Sequence, residues 1–191
     1  MDAHHELDAI LENIINEHKN NGELGGEGLV ATLLRLMKEG GFQFPITNDN
    51  IKAIIFDMFG AGTETSSTTI DWTMVEMMRN PNVLSKAQAE VRNMFRESFK
   101  PERFEHNSMD FVGNNFEYLP FGSGRRNCPG ISFGLANVYF PLAQLLYHFD
   151  WKLPSGIKPS DLDLTESAGV TCARKSNLYL IAAPHQPRRQ E

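Results

Sequence analysis

The sequence predicts a mainly α protein: one long central helix, a cysteine loop running into a further helix, and a small C-terminal β-hairpin. Three observations lead there. Apolar residues recur at helical spacing, between recognisable caps and breakers, through the first 95 residues. A turn-rich stretch at residues 121 to 130, FGSGRRNCPG, opens directly onto the apolar run ISFGLANVYFPLAQLLYHF. After Trp151 the punctuation changes to Pro154, Gly156 and Pro159, and two short β-type runs follow.

The elements follow in order. Leu7, Ile10, Leu11, Ile14 and Ile15 share one face of a helix over residues 2 to 20, ended by the glycines that follow Asn20. A second helix over Leu29 to Glu39 is closed by Gly40 and Gly41. The third and longest runs from about Asn48 to Arg79, with Thr47 or Asn48 as N-cap, Asp49 in the first turn and Asn80-Pro81 as the stop. Some thirty residues at ~1.5 Å each make it about 45 Å long. Its apolar residues, from Ile51, Ile54, Ile55, Met58 and Phe59 to Ile70, Met74, Val75 and Met78, predict burial along most of its length.

The middle of that helix is unusual: AGTETSSTT, at residues 61 to 69, is strongly polar. Hydroxyls there either bond back to the carbonyl four residues earlier or face something polar. Gly62 beside Thr63, Glu64 and Thr65 loosens the helix where a groove can hold a ligand or water. Taken alone, the run reads equally well as a solvent-facing Ser/Thr patch. Pro81 opens a fourth helix, reaching about Phe95 on Leu84, Ala87 and Val91, and residues 96 to 120 are mostly loop. Pro141 inside the helix after Cys128 predicts a kink or a local break. VTCAR and LYLIAA, flanking Lys175-Ser176-Asn177, predict the terminal β-hairpin, with Cys172 packed in its first strand.

At 191 residues, with 41% apolar and 22% charged content, the chain suits a globular domain with a real core. A net charge of -6 and scattered basic residues argue against a nucleic-acid surface. The start, MDAHHELDAI, is charged from its second residue, and no stretch approaches the roughly eighteen apolar residues that span a bilayer. No membrane anchor or signal peptide is expected in this chain, which points to the cytosol or leaves the compartment open. Two cysteines, Cys128 and Cys172, do not make a secreted disulfide framework.

The cysteine loop carries the chemistry. Cys128 sits just ahead of a helix N-terminus, whose unpaired N–H groups and positive dipole end favour a negatively charged sulfur. Such a sulfur is a metal ligand or a nucleophile. Pro129 and Gly130 fix a tight turn, Gly122 and Gly124 carry no β-carbon, so a flat bulky group can lie against this backbone, and Arg126 offers a charged fork to a carboxylate. These features together suit a haem with an axial thiolate.

The order F-x-x-G-x-R-x-C-x-G, met here from Phe121 through Gly124, Arg126 and Cys128 to Gly130, resembles the cysteine loop of the cytochrome P450 family of haem-thiolate monooxygenases. A-G-T-E-T resembles the oxygen-binding groove of that family's long central helix, and FKPERF at residues 99 to 104 its P-E-R-F element. The resemblance is to plant members, as the C-terminal part of the fold, incomplete. It implies haem b held by Cys128, Phe121 beside the sulfur and Arg126 on a propionate. It implies Thr65 as hydroxyl proton donor, Glu64 as the acid near it and Gly62 on the oxygen side. It also implies transfer of one atom of O2 to a hydrophobic small molecule, with electrons from NADPH through a reductase, for which Lys100 and Arg125 are a candidate contact. Full-length relatives would sit at the endoplasmic-reticulum membrane.

The resemblance covers one partial domain, residues 1–191, in two blocks: 1–95 around the central helix and 96–191 around the haem cysteine. Between them the family has several dozen residues, including a helix whose E-x-x-R charges bond the P-E-R-F arginine, here Arg103. Here Met94-Phe95-Arg96-Glu97 joins directly. Glu76-Met77-Met78-Arg79 matches E-x-x-R by letter, but at the wrong place and with a spacing expected about once by chance. The rival expectation is therefore a truncated or splice-variant remnant without autonomous catalysis, at most an interaction or regulatory fragment. Other chemistries fall away. His5-Glu6 starts like H-E-x-x-H, but Ala9 stands where the second histidine belongs. A cysteine hydrolase pairing Cys128 with His148 has no orienting third group.

Overall fold

The computed structural model describes residues 3–20, 28–94, 119–169 and 171–186. Among the described residues five helices come first to last as α1 (Ala3–Asn20), α2 (Leu29–Glu39), α3 (Asn48–Arg79), α4 (Pro81–Met94) and α5 (Ile131–His148). Four short strands follow: β1 (Phe149–Lys152), β2 (Glu166–Ser167), β3 (Ala173–Arg174) and β4 (Ile181–Pro184). Short 3-10 turns stand at Gly124–Arg126 and Pro159–Asp161. The FKPERF element, with Lys100 and Arg103, and the join after Met94 lie outside the described residues.

The caps fix the helix ends. Thr47 caps α3 reciprocally: its hydroxyl accepts the Asn50 N–H at 3.3 Å, and Asn50 Oδ1 accepts the Thr47 N–H at 2.9 Å. α2 ends at Gly40, whose φ of 66° lets its N–H reach the Leu36 carbonyl at 3.1 Å. Asn80 turns the chain from α3 into α4, its carbonyl accepting the Leu84 N–H at 3.1 Å.

The chain forms two compact units, Met1–Thr63 and Glu64–Glu191, with the division inside α3. In the first, Leu11 and Ile15 of α1, Leu33 and Leu34 of α2, and Ile51 and Ile55 of α3 make one apolar cluster. Lys52 ties α3 to α1 beside it, pairing with Asp8 at 2.9 Å and Glu12 at 2.8 Å. That ammonium holds both carboxyls below the usual carboxylate range, and they in turn push the lysine up.

In the second unit, Met78, Leu84 and Leu146 form the core, with Leu142, Trp151 and Leu180 packed against it. Gln88 and Arg92 of α4 both donate to the Phe149 carbonyl, at 2.8 and 3.0 Å. Arg92 also pairs with Asp150 at 2.9 Å, and His185 reaches the other oxygen of Asp150 at 3.1 Å. These two partners, His185 first, hold the Asp150 carboxyl below its ordinary range. α4 thus anchors the start of β1.

Several expectations need correction. The two C-terminal β runs do not pair with each other: β4 pairs antiparallel with β1, and β3 with β2. The intended turn is pulled elsewhere, because the Lys175 N–H bonds the Thr165 carbonyl at 2.8 Å and the Ser176 hydroxyl bonds Asp163 at 2.7 Å. Pro141 does not break α5, which is continuous from Ile131 to His148; one missing donor leaves the other rungs of an apolar helix in place. α3 is buried only towards its ends. Between Phe56 and Thr73, Ser66 alone is buried, while Phe56 and Phe59 are exposed: no described element covers these two rings, and the run at residues 61 to 69 that follows them is polar. No helix among the described residues is long and apolar enough to cross a membrane.

Candidate functional site

Residues 119 to 130 close into successive tight turns. The Gly122 N–H donates to the Leu119 carbonyl at 3.1 Å, Asn127 to Gly124 at 3.3 Å, and Cys128 to Phe121 at 2.8 Å. The last bond brings the two ends of the loop together, so Phe121 and Cys128 are neighbours across it. Gly122 and Gly124 make this possible with φ of 70° and 74°, the left-handed region where other residues are strained.

The loop ends on α5. Gly130 is the N-cap, its carbonyl accepting the Gly134 N–H at 2.7 Å. A Cβ on Gly130 would touch Cys128 Sγ at 3.8 Å, and one on Gly134 would touch the Phe121 ring at 3.8 Å. Cys128 is a free, half-buried thiol two residues ahead of that cap. Arg125 and Arg126 stand exposed on the 3-10 turn before it. Phe121, Gly124, Arg126, Cys128 and Gly130 therefore all belong to one short loop held at the mouth of α5.

Gly62, Glu64 and Thr65 lie in α3, Gly62 half-buried and the other two exposed. Hydroxyls in this run bond back along the helix: Thr69 donates to the Thr65 carbonyl at 2.8 Å, and Thr73 to Thr69 at 2.7 Å. Glu64 is different, because its carboxylate accepts a hydrogen bond from the Thr171 hydroxyl. Sequence reasoning missed Thr171. The two residues are 107 positions apart, and no local spacing signals such a pair.

Arg79 pairs with Glu76 at 2.9 Å within its own helix turn. His148 bonds Gln144 at 2.9 Å at the far end of α5, which at ~1.5 Å per residue lies about 26 Å from the helix start that Cys128 precedes; a Cys128–His148 dyad is excluded. Cys172 is exposed rather than packed, and a hydrogen bond with Glu166 pushes its thiol up.

The donor set tests for haem. Among the described residues no three His, Cys, Asp or Glu side chains gather to hold a metal ion. A single thiol ahead of a helix, with bare glycines beside it, suits an iron already held by a ring rather than a bare ion. Glycine at position 130 keeps the space beside Sγ free of a β-carbon. The residues present fit an axial thiolate to haem.

A family model described as Cytochrome P450 matches residues 1–98 and 96–181. Premnaspirodiene oxygenase from Hyoscyamus muticus is 52% identical, over 100% of this chain and 54% of its own length. 5-epiaristolochene 1,3-dihydroxylase from Nicotiana tabacum is 50% identical, over 100% of this chain and 53% of its own. The chain thus spans about half the length of these relatives. Both alignments extend over 269 residues, against 191 in this chain. Among solved structures, a zebra fish cytochrome P450 with abiraterone superposes with a TM-score of 0.70 at 21% identity, over 94% of this chain and 59% of that one. That likeness is one of fold.

Proposed function

The chain belongs to the cytochrome P450 family, and from that premise we propose that it carries the haem-binding and oxygen-handling portion of a monooxygenase. Cys128 would hold the haem iron through its thiolate, Arg126 would pair a propionate carboxylate, and Phe121 would pack beside the sulfur. Gly124 and Gly130 keep the backbone bare where a flat ring approaches. When bound, haem supplies the iron at which one atom of O2 is transferred to a hydrophobic small molecule. On the oxygen side, the Thr65 hydroxyl donates a proton, the Glu64 carboxyl exchanges protons with it, and Gly62 leaves α3 open. Electrons arrive from NADPH through a reductase, to which exposed Arg125 presents positive charge; Lys100, the other basic residue of this candidate contact, lies outside the described residues. Premnaspirodiene and 5-epiaristolochene, the compounds that two relatives are named for, are the first substrates to try.

The observation that supports this reading is the cysteine loop: Cys128 tied to Phe121 at 2.8 Å, with its sulfur against Gly130 at the cap of α5. Haem titration of the purified chain, followed by reduction under carbon monoxide, tests it. A red-shifted Soret band that disappears in Cys128→Ala is the expected result. No such band, with Cys128→Ala behaving like the unsubstituted chain, would sink the reading.

The alignment length favours a second reading. Positions of the relatives without a counterpart here, and two family-model segments that meet at residues 96–98, support a remnant that retains the motifs without autonomous catalysis. In that case the titration gives no thiolate spectrum, and sequencing across the Phe95 to Glu97 join distinguishes splicing from deletion.

A further inference from the structure

Glu64 is the group whose surroundings the cysteine loop does not account for. α3 presents Glu64, Asp71 and Trp72 to one short stretch of chain, and each meets a different member of it. Thr171 donates its hydroxyl to the Glu64 carboxylate. Trp72 Nε1 donates to the Cys172 carbonyl at 2.8 Å. Arg174, whose side chain is only 3% exposed, sets its Nη1 3.6 Å from Asp71 Oδ2.

The spacing explains why all three contacts form together. Glu64 and Asp71 are seven residues apart, two helical turns, so they lie on one face about 10.5 Å from each other. Thr171 and Arg174 are three residues apart, and an extended chain covers about 10 Å in that distance. Thr171 to Arg174 therefore lie along α3 in register with it.

The far end of this strap is fixed independently. Arg174 Nε and Nη2 donate to the Asp163 carbonyl at 3.3 and 3.0 Å, and β3 pairs with β2. Arg174 Nη1 is buried with no hydrogen-bond partner, so Asp71 is what compensates its charge. Such a guanidinium has little freedom to move away. With Arg174 and Cys172 both held, the Thr171 hydroxyl is delivered to Glu64 by the backbone rather than by chance of rotamer.

We propose that Thr171 is a positioning residue, whose hydroxyl fixes the orientation of the Glu64 carboxylate and leaves its second oxygen for proton exchange with Thr65. The role of Glu64 rests on the monooxygenase reading; the contact itself does not. An unfixed glutamate on an exposed helix face samples several rotamers, and a proton donor works only within hydrogen-bond reach of its target.

The test uses the full chain, labelled with 13C at glutamate, and follows the Glu64 carboxyl resonance, assigned by its loss in Glu64→Gln. Thr171→Val is expected to shift it, and Thr171→Ser, which keeps the hydroxyl, to restore the original position. A purely packing role would make serine resemble valine, and that result would overturn the proposal, as would an unmoved resonance in Thr171→Val. Trp72→Phe, which frees the Cys172 carbonyl while leaving Thr171 intact, provides a second variant should valine prevent folding. It is expected to shift the same resonance, and no shift there would also overturn the proposal. The measurement needs no haem, so a chain that shows the Thr171-dependent shift without a Cys128-dependent Soret band supports this contact while overturning the monooxygenase reading.

Discussion

Gly124 holds a φ of 74° with open space where a Cβ would stand. Substitution there costs backbone energy without a collision. Gly124→Ala is expected to lower stability by about 1 kcal/mol, seen as a lower urea midpoint at unchanged slope. Asp163 makes a different residue-scale prediction. Hydroxyl bonds from Thr165 and Ser176, and the Thr165 N–H, pull its carboxyl from 3.8 down to about 2. The folded state thus binds this proton less readily than the unfolded state. The contribution is complete above the unfolded value, near 4, and is lost as pH falls towards about 2. Denaturation at pH 5, 3 and 2 should show that loss, and Ser176→Ala should reduce it. The turns of the cysteine loop were legible from sequence because glycines and a helix cap act over ten consecutive positions. Thr171 was not, because its partner lies in a helix that forms over a hundred residues earlier.

Among the elements, helices were legible and strand partners were not. Thr47, Gly40 and Asn80 each mark a helix end through a bond made within four residues, which is why those boundaries could be read directly. Thr47→Ala removes one half of the reciprocal cap on α3 and is expected to cost about 1 kcal/mol, measurable by thermal unfolding. The strands carry no such local information. β1 and β4 have four residues each, β2 and β3 two, and stretches that short fit several partners. What decided the pairing was Asp163 and Thr165 capturing Ser176 and Lys175, an interaction between side chains and a loop that alternation of apolar residues does not encode. The overestimate of α3 burial has a related cause: its apolar residues announce a packed face, but not whether a partner is present to pack on it.

At the scale of the whole molecule, each compact unit rests on a small apolar cluster, so single core truncations weigh heavily. Leu34, 1% exposed between α1 and α3, is expected to lose about 2 to 5 kcal/mol as Leu34→Ala, read by chemical denaturation. Much apolar surface stays outside those clusters: Phe133, Tyr139 and Phe140 on α5 are 46%, 58% and 68% exposed. Aromatic groups so exposed favour association as concentration rises, and Phe140→Ser is expected to reduce that association in sedimentation experiments.

The bond between Thr171 and Glu64 also has a consequence in time. A ribosome finishes α3 and the cysteine loop well before it reaches the strap, so for much of synthesis Glu64 waits without the hydroxyl that orients it. A premature stop after Gly169 would leave every recognisable motif of the family in the product and still remove Thr171, Arg174 and the partner strand of β1. Messenger lesions near the 3′ end of the reading frame would therefore be silent to a motif search while altering the one carboxylate the motifs cannot hold by themselves.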